Sequence, residues 1–90
     1  MEVNNMKKYA VIVYYTFDIG HSEVYLFDTY EQACEYLTSM WNYCFNFGLE
    51  DKYFNKEESY CEKDYAELRW NDSDKRIFEV ANVIEPMKFD

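Results

Sequence analysis

Only two glycines, Gly20 and Gly48, and one proline, Pro86, occur in the chain. Neither a Gly-x-Gly-x-x-Gly dinucleotide fingerprint nor a phosphate-cradling Walker loop can be built from two isolated glycines, which argues against nucleotide cofactors of those kinds. The single histidine, His21, stands between Gly20 and Ser22. Adjacent side chains in a turn rarely align as base and nucleophile, and no Gly-x-Ser-x-Gly elbow accompanies them. His21 therefore reads as an exposed turn residue, and a histidine-centred triad has no support.

Basic residues are scarce where acids are plentiful. No lysine or arginine lies between Tyr9 and Asp51, whereas Asp18, Glu23, Asp28, Glu31, Glu35, Glu50 and Asp51 fall in that window. The whole chain carries 18 acidic and 9 basic side chains, a formal net charge of -9. Direct nucleic-acid binding needs basic groups facing phosphates, and an anionic membrane would be repelled in the same way. A basic protein partner, a cationic ligand or solubility alone fits this balance.

Cys34, Cys44 and Cys61 are the three cysteines, an odd number without any Cys-x-x-Cys spacing. A reducing compartment is the simpler reading, and the expected location is cytoplasmic. Cys34 and Cys44 would stand about 15 Å apart along a helix, too far to bridge, and both read as buried structural thiols. Three scattered cysteines and one histidine make a poor zinc site, and no metal or other cofactor is expected. Long apolar runs are missing as well. Lys7 and Lys8 followed by Tyr9 to Phe17 mimic the start of a signal sequence, but this segment holds three tyrosines and Thr16, is followed by Asp18, and is too short to span a bilayer.

What the chain has in excess is aromatic side chains, 21% of its residues, with 10 Tyr and 7 Phe. Large rings bury much area each and offset the small size of a single domain spanning residues 1–90. The organising segment is Asp28 to Gly48. Tyr30, Ala33, Cys34, Leu37, Met40, Trp41, Cys44 and Phe45 recur every three or four residues, opposite Glu31, Gln32, Glu35, Thr38, Ser39, Asn42 and Asn46. This predicts an amphipathic helix of about 27 Å, capped by Asp28 or Thr29 with Glu31 or Gln32 three residues on, and closed by Gly48 in the left-handed conformation.

Met1 to Met6 lacks periodicity, and the first seven residues are expected to be flexible. Tyr9 to Phe17 is the strongest strand signal, apolar on both faces and so an interior strand. Asp18 to His21 reads as a turn using Gly20, and Glu23 to Phe27 as the returning strand. Residues 49–64 read as an irregular crossover with a short helix possible at Asp51 to Glu58, ending in a short edge strand near Ser59 to Glu62. Tyr65 to Trp70 alternates, with Ala66, Leu68 and Trp70 inward and Glu67 and Arg69 outward. Asn71 to Asp74 is a turn, and Arg76 to Ile84 a last strand ended by Pro86. In that strand Phe78, Val80 and Ile84 compete with Ile77, Ala81 and Val83 for the core. A bulge near Glu79 or two partly covered faces would reconcile them. The expected fold is α+β: a mainly antiparallel sheet of four or five strands in the order β-β-α-(β)-β-β, with one long helix across one face.

No carboxylate pair points to acid-base work. Glu57 and Glu58 would diverge on a regular element, and Asp72 and Asp74 suit Asx turns, since a calcium loop lacks its glycine here and would place Val83 at the twelfth position. Two surface features remain. Tyr14, with Tyr25 and Phe27 in one choice of register, would form an aromatic patch on the sheet face away from the helix, suited to a partner or to a two-fold dimer, unless the crossover covers it with Tyr53 and Phe54. Glu31 and Glu35 head the acidic first half, which would attract a basic groove.

The segments Tyr9-Ala10-Val11-Ile12-Val13-Tyr14-Tyr15, Val24-Tyr25-Leu26-Phe27-Asp28-Thr29 and Tyr65-Ala66-Glu67-Leu68 resemble parts of small uncharacterised proteins from anaerobic Gram-positive bacteria and their mobile elements. The resemblance covers about half the chain, brings no catalytic or ligand residue with it, and implies a bacterial cytoplasmic protein. Sequence reasoning thus ends at a non-enzymatic module that binds another protein through Tyr14, Tyr25 and Phe27. The alternative is an acidic inhibitor that imitates nucleic acid through Glu31 and Glu35.

Overall fold

The computed structural model describes residues 7–17 and 21–83. Strands β1 (Tyr9–Tyr15) and β2 (Ser22–Phe27) precede helix α1 (Tyr30–Gly48), and β3 (Tyr60–Cys61), β4 (Tyr65–Arg69) and β5 (Lys75–Asn82) follow it. The strands make one five-stranded sheet in the order β2-β1-β5-β4-β3, every pair antiparallel. With α1 across one face, this is the α+β arrangement expected from the sequence. The expectations for Met1 to Met6, for a turn using Gly20, and for Ile84 and Pro86 fall outside the described residues. Lys7, expected to be flexible, is described, and its Nζ lies 3.3 Å from Asp28 Oδ2.

The helix begins where its capping chemistry demands. Thr29 Oγ1 accepts from the Gln32 backbone N–H, and the Gln32 side chain accepts from the Thr29 N–H, so two orphan donors of the first turn are satisfied. Its other end differs from expectation. Gly48 is the last helical residue and does not adopt a positive φ, and Leu49 caps the helix in the right-handed region. Glycine lets the Phe54 ring pack closely here: a Cβ at Gly48 would lie 3.1 Å from it, so the ring would have to shift by a few tenths of an ångström.

Ala33, Cys34 and Leu37 are the buried helix residues, and Tyr36, Met40, Trp41, Cys44 and Phe45 pack against the core that Ala33 and Leu37 enter. They rest on Val11 and Val13 of β1, Phe78 of β5, and Ala66 and Leu68 of β4. Alternation then places Tyr9, Val11, Val13 and Tyr15 under the helix and Ala10, Ile12 and Tyr14 on the opposite face. Trp41 Nε1 donates to the Glu67 carbonyl at 3.0 Å, tying α1 to β4. The crossover after α1 is a series of turns rather than a short helix. Phe54 forms an isolated bridge with Trp70 and enters the core on the helix side, edge-on to both Phe45 and Trp70.

The competition within β5 resolves without a bulge. Its pairing with β1 runs unbroken from Tyr9↔Asn82 to Tyr15↔Arg76, and with β4 from Tyr65↔Glu79 to Arg69↔Lys75. Phe78 and Val80 face the helix, while Ile77 and Ala81 take the other face. Ile77 is shielded there because it sits in one row between Tyr14 and Glu67. The β4–β5 turn places Ser73 at φ 76°, and Asp72 Oδ1 accepts from the Asp74 N–H at 3.2 Å, an Asx turn as expected.

Candidate functional site

The sheet has one face under α1 and one on which no described helix or strand lies. Register and alternation assemble the open face in rows: Leu26, Ala10 and Ala81; then Val24, Ile12, Glu79 and Tyr65; then Ser22, Tyr14, Ile77, Glu67 and Tyr60. Its β2 end is aliphatic, with Val24 57% and Leu26 52% exposed. The β3 end is built of tyrosines around a carboxylate. The crossover does not cover this face, since Phe54 packs on the helix side and Tyr53 is exposed.

Of the aromatic residues expected here, Tyr14 is in place and Tyr25 and Phe27 are not. Tyr9 pairs with Phe27 and Val11 with Tyr25, which sets both β2 rings on the helix face. They pack against Tyr36, with ring centroids 5.0 and 5.1 Å away. The reason is area: two rings bury more apolar surface under the helix than Val24 and Leu26 would. The Tyr25 hydroxyl donates to Glu23 at 2.7 Å, which pushes its pKa up to about 12. The same bond is the leading cause that holds the Glu23 carboxyl below its ordinary value.

Glu67 is the buried charged residue among those described. Burial alone would raise its pKa, but hydrogen bonds from Tyr65, Arg69 and Tyr60 outweigh that and hold the carboxyl below its ordinary value. Arg69 donates through Nε at 2.9 Å and approaches with Nη2 at 2.8 Å, and the Tyr65 hydroxyl donates to the other carboxylate oxygen. Tyr14 on the same face is raised, first by burial and then by the nearby charges of Glu79 and Glu67. A carboxylate held ionised by this many donors is poised to fix side chains rather than to accept a proton, so the cluster stiffens the face.

Glu31 and Glu35 are exposed on the outer side of α1, apart from the open face. Other acids of the first half are engaged inside the molecule: Asp28 with Lys7, and Glu23 with Tyr25, His21 and Arg76. His21 sits 3.5 Å from Glu23 and edge-on to Tyr15. Asp18 lies outside the described residues.

A concavity of about 550 Å³ opens at the C-terminal end of α1 between Tyr43, Phe47, Trp70 and Arg76. Arg76 is largely buried, stacks over Tyr15 and Phe78, and donates to Cys44 Sγ at 2.8 Å, while its Nε has no partner. Glu50 and Asp51 line the same cleft, so its charges are of both signs. No group of three potential metal ligands occurs among the described residues. No helix among them is long and apolar enough to cross a membrane.

The thiols do not assemble a nucleophilic site. Burial raises Cys44 against the opposing pull of Arg76, and burial also raises Cys61. Alkylation of the folded protein with iodoacetamide at about pH 8 is expected to run roughly tenfold slower at both than at free glutathione, read by mass spectrometry. A thiol reacting faster than glutathione would contradict this environment.

Compared with protein-family models, curated proteins and solved structures, the chain matches none. Its function must be read from its own surfaces.

Proposed function

We propose that this chain is a non-enzymatic protein-interaction module and that its partner docks on the open face of the sheet. The supporting observation is that face itself, which carries Ile12, Tyr14, Val24 and Leu26 with no described element on top. A five-stranded sheet is an economical platform for such a surface, because alternation lets one residue set make the core while the other stays available. Tyrosine at the face offers both a ring and a hydroxyl to a partner, and the Glu67 cluster holds neighbouring rings in fixed positions, which lowers the ordering cost of binding.

The alternative reading, an acidic inhibitor occupying a basic groove, draws on fewer groups. Glu31 and Glu35 stand near the start of α1 and Glu50 and Asp51 beyond its end, roughly 22–30 Å away at the rise of a helix. Imitating a nucleic acid calls for charge at far closer intervals.

Tagged wild-type protein should retain a partner from bacterial lysate at both ~0.1 and ~0.5 M salt, because apolar contact is little screened. Tyr14→Ser should weaken that complex about tenfold, as truncation of a central interface ring does. Charge reversal at Glu31 and Glu35 should leave it nearly unchanged. Retention confined to low salt, and abolished by the charge reversals but not by Tyr14→Ser, would replace this reading with the acidic-inhibitor one.

A further inference from the structure

We infer that the free edge of β2 takes an extended, basic segment of the partner, which adds to the sheet as a sixth strand. This rests on the reading of the chain as a binding module and adds the chemistry of the partner. β2 is an outermost strand of the sheet. The direction of its unused hydrogen-bonding groups follows from the ladder. On either side of β1 the Thr16 N–H donates to the Lys75 carbonyl and the Val83 N–H to the Lys8 carbonyl, so by alternation Ala10, Ile12 and Tyr14 bond to β5; just before the strand the Lys8 N–H reaches the Phe27 carbonyl of β2. The odd-numbered residues of β1, Tyr9, Val11 and Val13, then bond to Phe27, Tyr25 and Glu23. Ser22, Val24 and Leu26 are left with their N–H and C=O groups turned away from the sheet.

This edge carries few of the protections usual for edge strands. Ser22 to Phe27 contains no lysine and no proline, its one charge, Glu23, is tied to Tyr25, His21 and Arg76, and its pairing with β1 is continuous. The side chains beside the outward amides are Val24 and Leu26, both more than half exposed. Along the same edge, on the helix side, runs a groove of about 460 Å³ whose lining includes Leu26, Phe27, Tyr36, Asp28 and Glu35. Lys7 lies at that groove and pairs with Asp28, while Glu35 makes no ion pair among the described residues, although Lys63 lines the next cleft beside it.

An added strand therefore meets two different environments on alternate residues. One set of side chains extends the open face beside Val24 and Leu26 and should be apolar. The other set points toward Tyr36 and Glu35 and should be arginine or lysine, drawn by a chain with net charge -9 and no basic residue between Tyr9 and Asp51. The same charge disfavours a second copy of this chain, which would bring an equally acidic surface to the edge.

The probe is a synthetic peptide of about eight residues alternating valine and arginine, titrated into isotopically labelled full-length protein with amide exchange followed by NMR. The expected result is protection of the Val24 and Leu26 amides, with those of Tyr25 and Phe27 already protected before addition. Alternate N-methylation of the peptide, which keeps its charge and removes backbone donors, should weaken binding about tenfold or more. Val24→Pro should do the same. Proline there removes an outward N–H and spares the β1 ladder. Leu26→Lys, which leaves the backbone intact and repels a basic strand, serves if the proline variant does not fold. Equal binding of the N-methylated peptide, or of a valine-glutamate peptide, would overturn the inference. So would protection of the same amides by concentration-dependent self-association alone. Perturbations confined to Ile12, Tyr14 and Ile77 would also overturn the edge while leaving the open-face reading standing.

Discussion

Phe78→Ala is expected to cost about 3–5 kcal/mol of folding stability, the range for removing a buried aromatic side chain. Phe78 is fully buried at the centre of the sheet, paired with Val13 on one side and Ala66 on the other, beneath the helix. None of these neighbours can follow the truncated side chain inward, since β5 is bonded on both edges, so a cavity should remain. A domain of this size has a total stability on the order of 5–14 kcal/mol, and the variant should stand close to unfolding at physiological temperature. Urea denaturation would show a large fall in midpoint at an unchanged slope. Ile12→Ala and Val24→Ser, on the open face, should each cost much less, because solvent or a partner rather than a tight core surrounds them.

Acid should destabilise the protein through Glu67 in particular. Its folded pKa lies below the ordinary value, so its contribution is fully present above the unfolded carboxyl's pKa and is lost as pH falls through the folded one. Stability should therefore hold steady near neutrality and begin to decline below about pH 5. Glu67→Gln is expected to remove about 2 kcal/mol at pH 7, because a neutral amide cannot satisfy Arg69 and the tyrosine hydroxyls together. The same variant should flatten the acid limb of the stability profile measured by urea titration at several pH values. If wild type and variant lost stability in parallel between about pH 5 and pH 3, the low pKa of Glu67 would be contradicted. Because Tyr65 and Arg69 would also lose their anchor, the variant should weaken partner binding more than its effect on folding explains.

The long helix was legible because its apolar positions recur with the helical period over five turns, and Thr29 with Gln32 makes a capping pair that few alternatives imitate. Its closing residue was misread. Gly48 sits where a left-handed cap is expected, but what it meets is the closely packed Phe54 ring, a contact made by the crossover and invisible to local pattern. β1 was legible from its β-branched and aromatic run, the outward side of β4 from alternation, and the turn at Asn71 to Asp74 from its Asx-rich composition. The face of β2 was not, because both of its alternating sets are apolar and only pairing with β1 decides between them. That pairing sent Tyr25 and Phe27 under the helix and brought Val24 and Leu26 to the open face. Glu67 was assigned the correct face, yet its burial escaped notice. Tyr65 and Arg69 flank it at two-residue spacing on β4, which alternation does show, but Tyr60 closes over it from β3, and that pairing has no mark in the sequence.

In the proposed function one face of the sheet holds the fold and the other takes the partner. Methyl cross-saturation from the captured partner to the labelled chain tests it most directly, because methyl groups sit on both faces. Attenuation is expected at Ile12, Ile77, Val24 and Leu26, with Val11, Val13 and Leu37 unaffected. Attenuation confined to Thr38 and the other exposed positions of α1, with the four open-face residues silent, would contradict it.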